Sequence, residues 1–495
     1  MKKVIIIGAG ISGMTAGIYA ANNGFDVTIY EKHSIPGGEC TGWKRDGVFI
    51  DGCAHWIVGV NPKVQLYKLW EFIGAFNKDT KIFKTEYLNK FDIDGEIVTF
   101  YSDLKKLKNE LLRIGPNDKK TINKFIKAVK AYQHVSIPIK KPMDLMNPFD
   151  YMVMGLKLLP MARAYYKYTH ITIDEFASKC KSKILAETFR RTFDPSYNVH
   201  SLLYVMQALS QWDAGVVEGG SLKMALDIAK RFKDLGGKFV YNANVEKIVT
   251  KDNLATGIIV NNEFVEADYI IPTCDMHYTL FNLLDNKYTT EFYKKRFENM
   301  KEYALQQTVF CSYKLSGNND NINTMVNIKI KPINIADSII DSISIRCHKY
   351  DSSLNNGYST ITVMIPILDV SYNYFKNLNR EDYEKVKIEI GNIILNEVIN
   401  YYKINKDDIK LIDVATPLTY ERYLNAYRGS YMSFITTNTN DKLMDTGLLD
   451  GLDNVFMAGQ WVMPPGGLPI ALFTGKHAAY RVSRAEKKKF KHEKD

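Results

Sequence analysis

The spacing of apolar and polar positions changes repeatedly along this chain, and each change marks an element. Residues 4–7 are an unbroken β-branched run, the pattern of a strand buried on both faces of a parallel sheet. Residues 11–23 then read as a helix of small and apolar residues, Gly24 stops it, and residues 25–30 form a second strand ending at Glu31. Residues 49–52 close the first stretch as a strand, 62–75 read as a helix, and 80–101 as short strands turning at Asp94-Gly95. Pro116 opens a helix that places Ile122, Phe125, Ile126, Val129 and Tyr132 on one face and lysines elsewhere. Asn147-Pro148 has the cap-then-proline form of a helix start. A dense apolar run follows, and Pro160 is expected to kink or end it.

Further on, residues 218–248 give a glycine turn, a helix, a stop at Gly236-Gly237 and a strand. Residues 255–260 and 264–275 read as strands that return to the first sheet. Residues 286–408 mix strands with a long amphipathic helix over about 380–403, and residues 452–479 supply a strand, a glycine turn and a last helix. The expected fold is α/β: a discontinuous Rossmann-type domain in the pieces 1–78, 215–285 and 409–495, with an inserted α+β domain in the pieces 79–214 and 286–408.

The chemistry starts in the first turn. Gly8-x-Gly10-x-x-Gly13 joins the first strand to the first helix. Gly8 permits the tight turn, Gly10 lets backbone approach a pyrophosphate, and Gly13 lets the helix pack on the sheet. The helix N-terminus offers unpaired N–H groups to phosphate. Glu31 follows where a carboxylate accepts from both ribose hydroxyls and repels a 2′-phosphate. Lys2, Lys3 and the apolar run after them imitate a secretory signal, but strand and polar residues continue without a break. Gly37-Gly38 lets the next loop fold back towards a second phosphate and a ribityl chain, which an NAD site does not need. Together with the distant C-terminal glycine turn, this points to FAD, so the Rossmann-type pieces are expected to form an FAD-binding domain and the inserted pieces a substrate domain.

Bulk composition narrows the classes. The chain has 495 residues, enough for two or three core-bearing units, with ordinary hydrophobic and charged content. Its six cysteines are scattered without metal spacing, so neither a disulfide framework nor a metal site is expected. No run of 18 or more apolar residues is free of charge, so no transmembrane helix is expected. The net charge of +10 is carried by two local patches, 119–141 and 481–495. A nucleic-acid binder spreads basic and aromatic residues over one surface; none is expected as a partner. The scattered cysteines point to a reducing cytoplasmic location, in solution or peripheral on the inner membrane face.

With these motifs in place, the chain resembles the FAD-dependent phytoene desaturase, carotenoid isomerase and retinol saturase family. The resemblance rests on the N-terminal unit through PGGECTGW, FIDGCAHWIVG, VEGGSLKMAL, ADYIIPTCD, TPLTYERYLNAYRGSYM and AGQWVMPPGGLPIALFTGKHAA. It implies FAD contacts from Gly8, Gly10, Ile11, Ser12, Gly13, Glu31, Lys32, Gly37, Gly38, Val245, Gly459, Gln460, Gly467, Leu468 and Pro469. Val245 is equally well read as a plain buried strand residue. Related flavoproteins often carry an acid just after the glycine at 459, where this chain has Gln460. The last helix, aimed at the flavin's pyrimidine end, would stabilise negative charge on reduction; otherwise its glycines serve close packing. His55 and Gln460 are the candidate catalytic side chains, and His55 beside Trp56 is equally well a structural residue. Tyr431 and Trp461 are expected cavity walls.

The activity implied is oxidation, reduction or isomerisation of carbon–carbon bonds in an apolar polyene, isoprenoid or lipid substrate. Two readings compete with it: an amine or protoporphyrinogen oxidase, and a non-catalytic flavin- or lipid-binding protein. A membrane surface is the second expected partner, met by the cationic helix at 119–132 and the apolar segment at 149–161. The competing reading puts 149–161 in the core.

Overall fold

The computed structural model describes residues 1–53, 56–133, 139–317, 322–354, 357–440 and 443–493. His55 lies outside the described residues. The first βαβ unit forms as its pattern demands: strand Lys3–Ile7, helix Ile11–Asn22 and strand Asp26–Tyr30. It nucleates a six-stranded sheet ordered Lys238–Val240, Asp26–Tyr30, Lys3–Ile7, Tyr269–Pro272, Leu452–Phe456, Leu448–Leu449. The first five strands run parallel and the last is antiparallel. Helices Gly220–Asp234 and Leu468–Ala485 pack on the first helix, so three pieces distant in sequence share one core.

Residues 254–266 differ from expectation. Strands Val245–Lys251, Leu254–Val260 and Glu263–Glu266 make their own antiparallel sheet, and only Tyr269–Pro272 returns to the parallel one. The tight turns between them favour hairpin pairing with the neighbour in sequence. Asn261 and Asn262 both have positive φ there.

The substrate domain is built on a seven-stranded sheet. Its order is Ile409–Ala415, Gln307–Leu315, Ser359–Ile367, Ser338–Cys347, Met325–Ile335, Tyr87–Ile93, Glu96–Tyr101. The hairpin at 87–101 turns at Asp94 (φ 55°) and Gly95 (φ 89°), as the sequence indicates. It joins the later strands by a single parallel pairing, Val326 beside Lys90. Ile409–Ala415, placed by sequence in the cofactor unit, instead pairs with Gln307–Leu315. Its apolar residues Ile409 and Val414 complete the core between this sheet and helix Arg380–Tyr402.

Helices Leu104–Ile114, Lys119–Tyr132 and Val199–Ser210 cover strand Tyr87–Ile93 around a second core. Here the surface reading of 119–132 fails: Ile122, Phe125, Ile126, Val129 and Tyr132 are buried in that core, and only the lysines face water. Helix Pro148–Thr169 starts with Asn147 as cap, in a reciprocal pair with Asp150. It runs through Pro160 rather than ending there. Its exposed position leaves water to satisfy the carbonyl that proline leaves unpaired.

Candidate active site

One cavity of about 1690 Å³ runs from the glycine turn of the parallel sheet into the substrate domain. Gly8, Gly10, Ile11, Ser12, Glu31, Lys32, Gly37, Gly38, Val245, Gly459, Gln460, Gly467, Leu468 and Pro469 all line it. Gly13 lies beneath, where a Cβ would come within 2.0 Å of the Gly8 carbonyl oxygen. A Cβ on Gly10 would meet nothing within 4 Å, because that face looks into the cavity. The first helix has no side-chain cap, and Ser12 Oγ is buried without a hydrogen-bond partner. Open glycine, uncapped helix start and orphaned hydroxyl are the features a pyrophosphate fills, so the cradle fits a dinucleotide.

Glu31 is buried at the end of its strand, where one carboxylate oxygen accepts from the Ala9 N–H at 2.7 Å and the other from the His33 N–H at 2.8 Å. These bonds hold the carboxylate against the phosphate turn while each oxygen keeps a lone pair free. The Gly37 N–H donates to the Ala9 carbonyl at 2.9 Å, and a Cβ on Gly38 would lie 3.2 Å from Gly10 Cα. The glycine pair therefore packs on the phosphate turn itself. Lys32 is held by the Arg422 carbonyl and Asn425, and burial lowers its pKa. Val245 is buried, with its carbonyl accepting from Tyr278 at 3.3 Å.

At the other end of the cradle, Gly459 (φ 124°) donates its N–H to Thr474 Oγ1. Gln460 bridges two elements: its Oε1 accepts from the Gly467 N–H at 3.3 Å, and its Nε2 donates to Glu39 Oε2 at 3.0 Å. Gly467 starts helix Leu468–Ala485, again without a side-chain cap. Glu39 is the residue the sequence reading passed over. It stands directly after the glycine pair, and the signal was an acid in a loop already assigned to the cofactor. In space it restores a carboxylate beside Gln460, where related flavoproteins carry one in sequence. Burial pushes its pKa up to about 8, against the opposing pull of the Gln460 hydrogen bond. Tyr431 and Trp461 do form cavity walls: Tyr431 donates to Gln306 Oε1 at 3.2 Å, and Trp461 packs against Phe434.

Asp51, from the FIDGC stretch, serves a different purpose. Its carboxylate accepts from Ser221 Oγ at 2.6 Å and from the Ser221 N–H at 3.0 Å, anchoring the start of helix Gly220–Asp234. Beyond the cradle the walls turn apolar, with Phe310, Met364 and Ile367 from the sheet and Met154, Leu158 and Met161 from helix Pro148–Thr169.

Comparison with known proteins agrees with this geometry. Residues 6–73 match the NAD(P)-binding Rossmann-like domain family. The chain is 25% identical to the 4,4'-diapophytoene desaturase (4,4'-diaponeurosporene-forming) of Staphylococcus haemolyticus, over 96% of this chain and 97% of that protein. It is 23% identical to the chloroplastic prolycopene isomerase of Daucus carota, over 97% and 79%. A match to the phytoene desaturase (neurosporene-forming) of Rhodobacter capsulatus is 27% identical over 58% of this chain and 55% of that protein. Among solved structures, putrescine oxidase bound to putrescine superposes with a TM-score of 0.59 at 13% identity, covering 98% of this chain and 99% of that one. That likeness is one of fold.

Cradle, cavity and likenesses together define a FAD-dependent oxidoreductase. Within that class the chain is similar over nearly its whole length to a diapophytoene desaturase and a prolycopene isomerase.

Proposed function

We propose that this enzyme acts on carbon–carbon bonds of an apolar polyene or isoprenoid drawn from a membrane. The observation that carries the reading is the continuity of one cavity, from the dinucleotide cradle to walls of methionine, leucine and phenylalanine. FAD, when bound, supplies hydride transfer at its N5 position. The chain's own residues bind, orient and exclude water. Gly8, Gly10, Ser12 and the first helix N-terminus take the pyrophosphate, and Glu31 takes the ribose. Gly459, Gln460, Gly467 and the last helix N-terminus face the flavin end. His55, outside the described residues, is kept as the candidate for moving a proton.

Helix Pro148–Thr169 is the entry element in this reading. Phe149, Met152, Leu156 and Leu159 are 67%, 54%, 64% and 68% exposed, while Met154, Leu158 and Met161 on its other side line the cavity. A helix apolar on both sides, with one side bare, suits an acyl boundary. Lys124, Lys179 and Arg163 gather round Lys167 near its C-terminal half, placing positive charge where anionic headgroups would lie. Among the described residues no helix is long and apolar enough to cross a membrane. The test is expression in a polyene-producing host with mass spectrometry of the products, alongside the absorbance of the purified protein. A yellow protein and a product shifted by two hydrogens or isomerised are expected. A colourless protein or an unchanged polyene pool would overturn the reading.

A further inference from the structure

Two of the six cysteines face one another beside the cofactor loop, and neither belongs to the dinucleotide cradle. Strands Gly42–Arg45 and Val48–Asp51 form an antiparallel hairpin that turns at Asp46 and Gly47, both with positive φ. Its pairing runs from Arg45 beside Val48 to Gly42 beside Asp51, and continues where the Gly52 N–H donates to the Thr41 carbonyl at 3.1 Å. One step further, the same register puts Cys40 opposite Cys53. Because Thr41 and Gly52 share a ladder bond, the next pair is of the non-bonded kind, whose Cα atoms lie about 4.5 Å apart. A disulfide spans Cα separations of about 4.4–6.8 Å, so this pair is spaced for one. The thiols already interact. Cys40 is the first cause, ahead of burial, that holds the Cys53 thiol well above its ordinary pKa, and Asp51 and Glu39 push the same way.

Both residues line the cavity, Cys53 partly exposed and Cys40 buried, with the Cys40 Sγ donating to the Ser221 carbonyl at 3.4 Å. Of the other cysteines, Cys311 and Cys347 stand on strands kept apart by Ser359–Ile367. Cys40 ends the loop that closes the cradle. Its N–H donates to the Gly37 carbonyl at 3.0 Å, Gly37 is tied to Ala9 on the phosphate turn, and Glu39 meets Gln460. We propose that Cys40 and Cys53 form a redox modification site, which hydrogen peroxide converts into a disulfide that clamps the cofactor loop to strand Val48–Asp51. Hydrogen peroxide arises where dioxygen reoxidises a flavin, so the oxidant would appear in the same cavity. The Cys53 sulfur, the more accessible of the two, attacks one peroxide oxygen; a sulfenic acid forms and water leaves. The Cys40 sulfur then attacks the Cys53 sulfur, the S–S bond forms and a second water leaves. Two thiols lose two hydrogens, and the peroxide is reduced to two waters. The groups facing Cys53 are Cys40, Glu39, Asp51 and Tyr420, all of them acids, so its thiol stays protonated and reacts slowly at neutral pH. The site does not depend on which substrate the cavity takes.

The test treats the FAD-loaded protein with hydrogen peroxide and reads thiol content, intact mass and linked peptides. The protein is expected to lose two of its six thiols and two hydrogens of mass, and to yield a peptide joining Cys40 to Cys53. Dithiothreitol should reverse all three changes. Cys40→Ser should lose the link and leave a sulfenic acid on Cys53 that dimedone labels. The oxidised wild type should release FAD several-fold more slowly than the reduced protein, followed by flavin fluorescence after dilution. Six thiols left unchanged, or a link between any other pair, would overturn the site. A Cys40–Cys53 disulfide with FAD release unchanged would overturn the clamp. Should Cys40→Ser fail to fold, the linked peptide from the wild type decides alone. A colourless protein would remove the FAD reading above without removing the site, because thiol content and the linked peptide are read equally well on the apoprotein.

Discussion

Gln460 and Glu39 meet side chain to side chain at 3.0 Å although they stand at opposite ends of the chain. The contact ties the loop after the first βαβ unit to the turn before the last helix, closing the cradle from both sides. It also keeps a carboxyl group in a site that disfavours its charge. Glu39 faces the cavity beside Gln460, Tyr420 and Cys53, and among the described residues no cation is positioned to pair with it. With its pKa at about 8, the group is mainly neutral at pH 7, so it accepts from Gln460 Nε2 through one oxygen and carries a proton it can donate on the other.

The first prediction follows from that shift. Glu39 is protonated in the folded apoprotein up to about pH 8, whereas an unfolded glutamate ionises near its ordinary value of 4.5. Between those limits the folded state binds more protons, so stability must fall as pH rises through the window. Glu39→Gln removes this dependence. Melting temperatures of wild type and variant should converge near pH 4.5 and separate in favour of the variant towards pH 8. A constant difference across the range would show that Glu39 ionises normally.

The second prediction separates two glycines of one motif. Gly10 has φ −67°, and an added Cβ meets nothing but cavity, so Gly10→Ala should fold with wild-type stability and bind FAD weakly. Gly13→Ala would drive a Cβ to 2.0 Å from the Gly8 carbonyl, so the apoprotein itself should lose stability, by about 1–3 kcal/mol. Thermal melts of the apoproteins and FAD titrations give both numbers. Equal melts with equal FAD loss would contradict the geometry.

What could be read in the sequence was what local pattern dictates. The strand at 3–7, the glycine turn and the acid at 31 carry their own periodicity and spacing, and they fold where the pattern puts them. The errors fall where tertiary partners decide. The apolar stripe of Lys119–Tyr132 looks the same whether it meets lipid or core, and only strand Tyr87–Ile93 with helix Val199–Ser210 shows that it meets core. Ile409–Ala415 has strand character in either domain, and its partner Gln307–Leu315 lies a hundred residues earlier. Glu39 escaped because its role depends on Gln460, which no local window contains.

The third prediction concerns Asp51. Its carboxylate holds both the hydroxyl and the N–H of Ser221 at the start of helix Gly220–Asp234, where a negative charge also meets the helix dipole. Asp51→Asn keeps the shape and loses the charge-assisted bonds. It should cost about 1.5–3 kcal/mol in urea unfolding. Because that helix packs on the first helix, FAD affinity should fall with it. Full stability in Asp51→Asn would show that the anchor is dispensable.

The fourth prediction tests whether helix Pro148–Thr169 docks on a membrane. Leu156 and Leu159 are largely exposed on helix Pro148–Thr169, so Leu156→Glu with Leu159→Glu removes no core contact and should leave the melting temperature nearly unchanged. The same pair places two carboxylates where acyl chains would sit, and flotation with anionic liposomes should fall sharply. Phe125→Ala is the contrast. Its ring is fully buried among Phe100, Phe176 and Phe189, so the change should cost about 3–5 kcal/mol. Salt separates the two forces at the surface. Attraction between Lys124, Lys167 and lipid headgroups is screened over roughly 8 Å at 0.15 M salt, whereas apolar insertion is not. Wild type should therefore bind anionic vesicles more weakly at high salt without losing them, and bind neutral vesicles weakly throughout. Flotation unchanged by the double glutamate variant would place the docking surface elsewhere, and no flotation of wild type under any condition would remove membrane docking altogether.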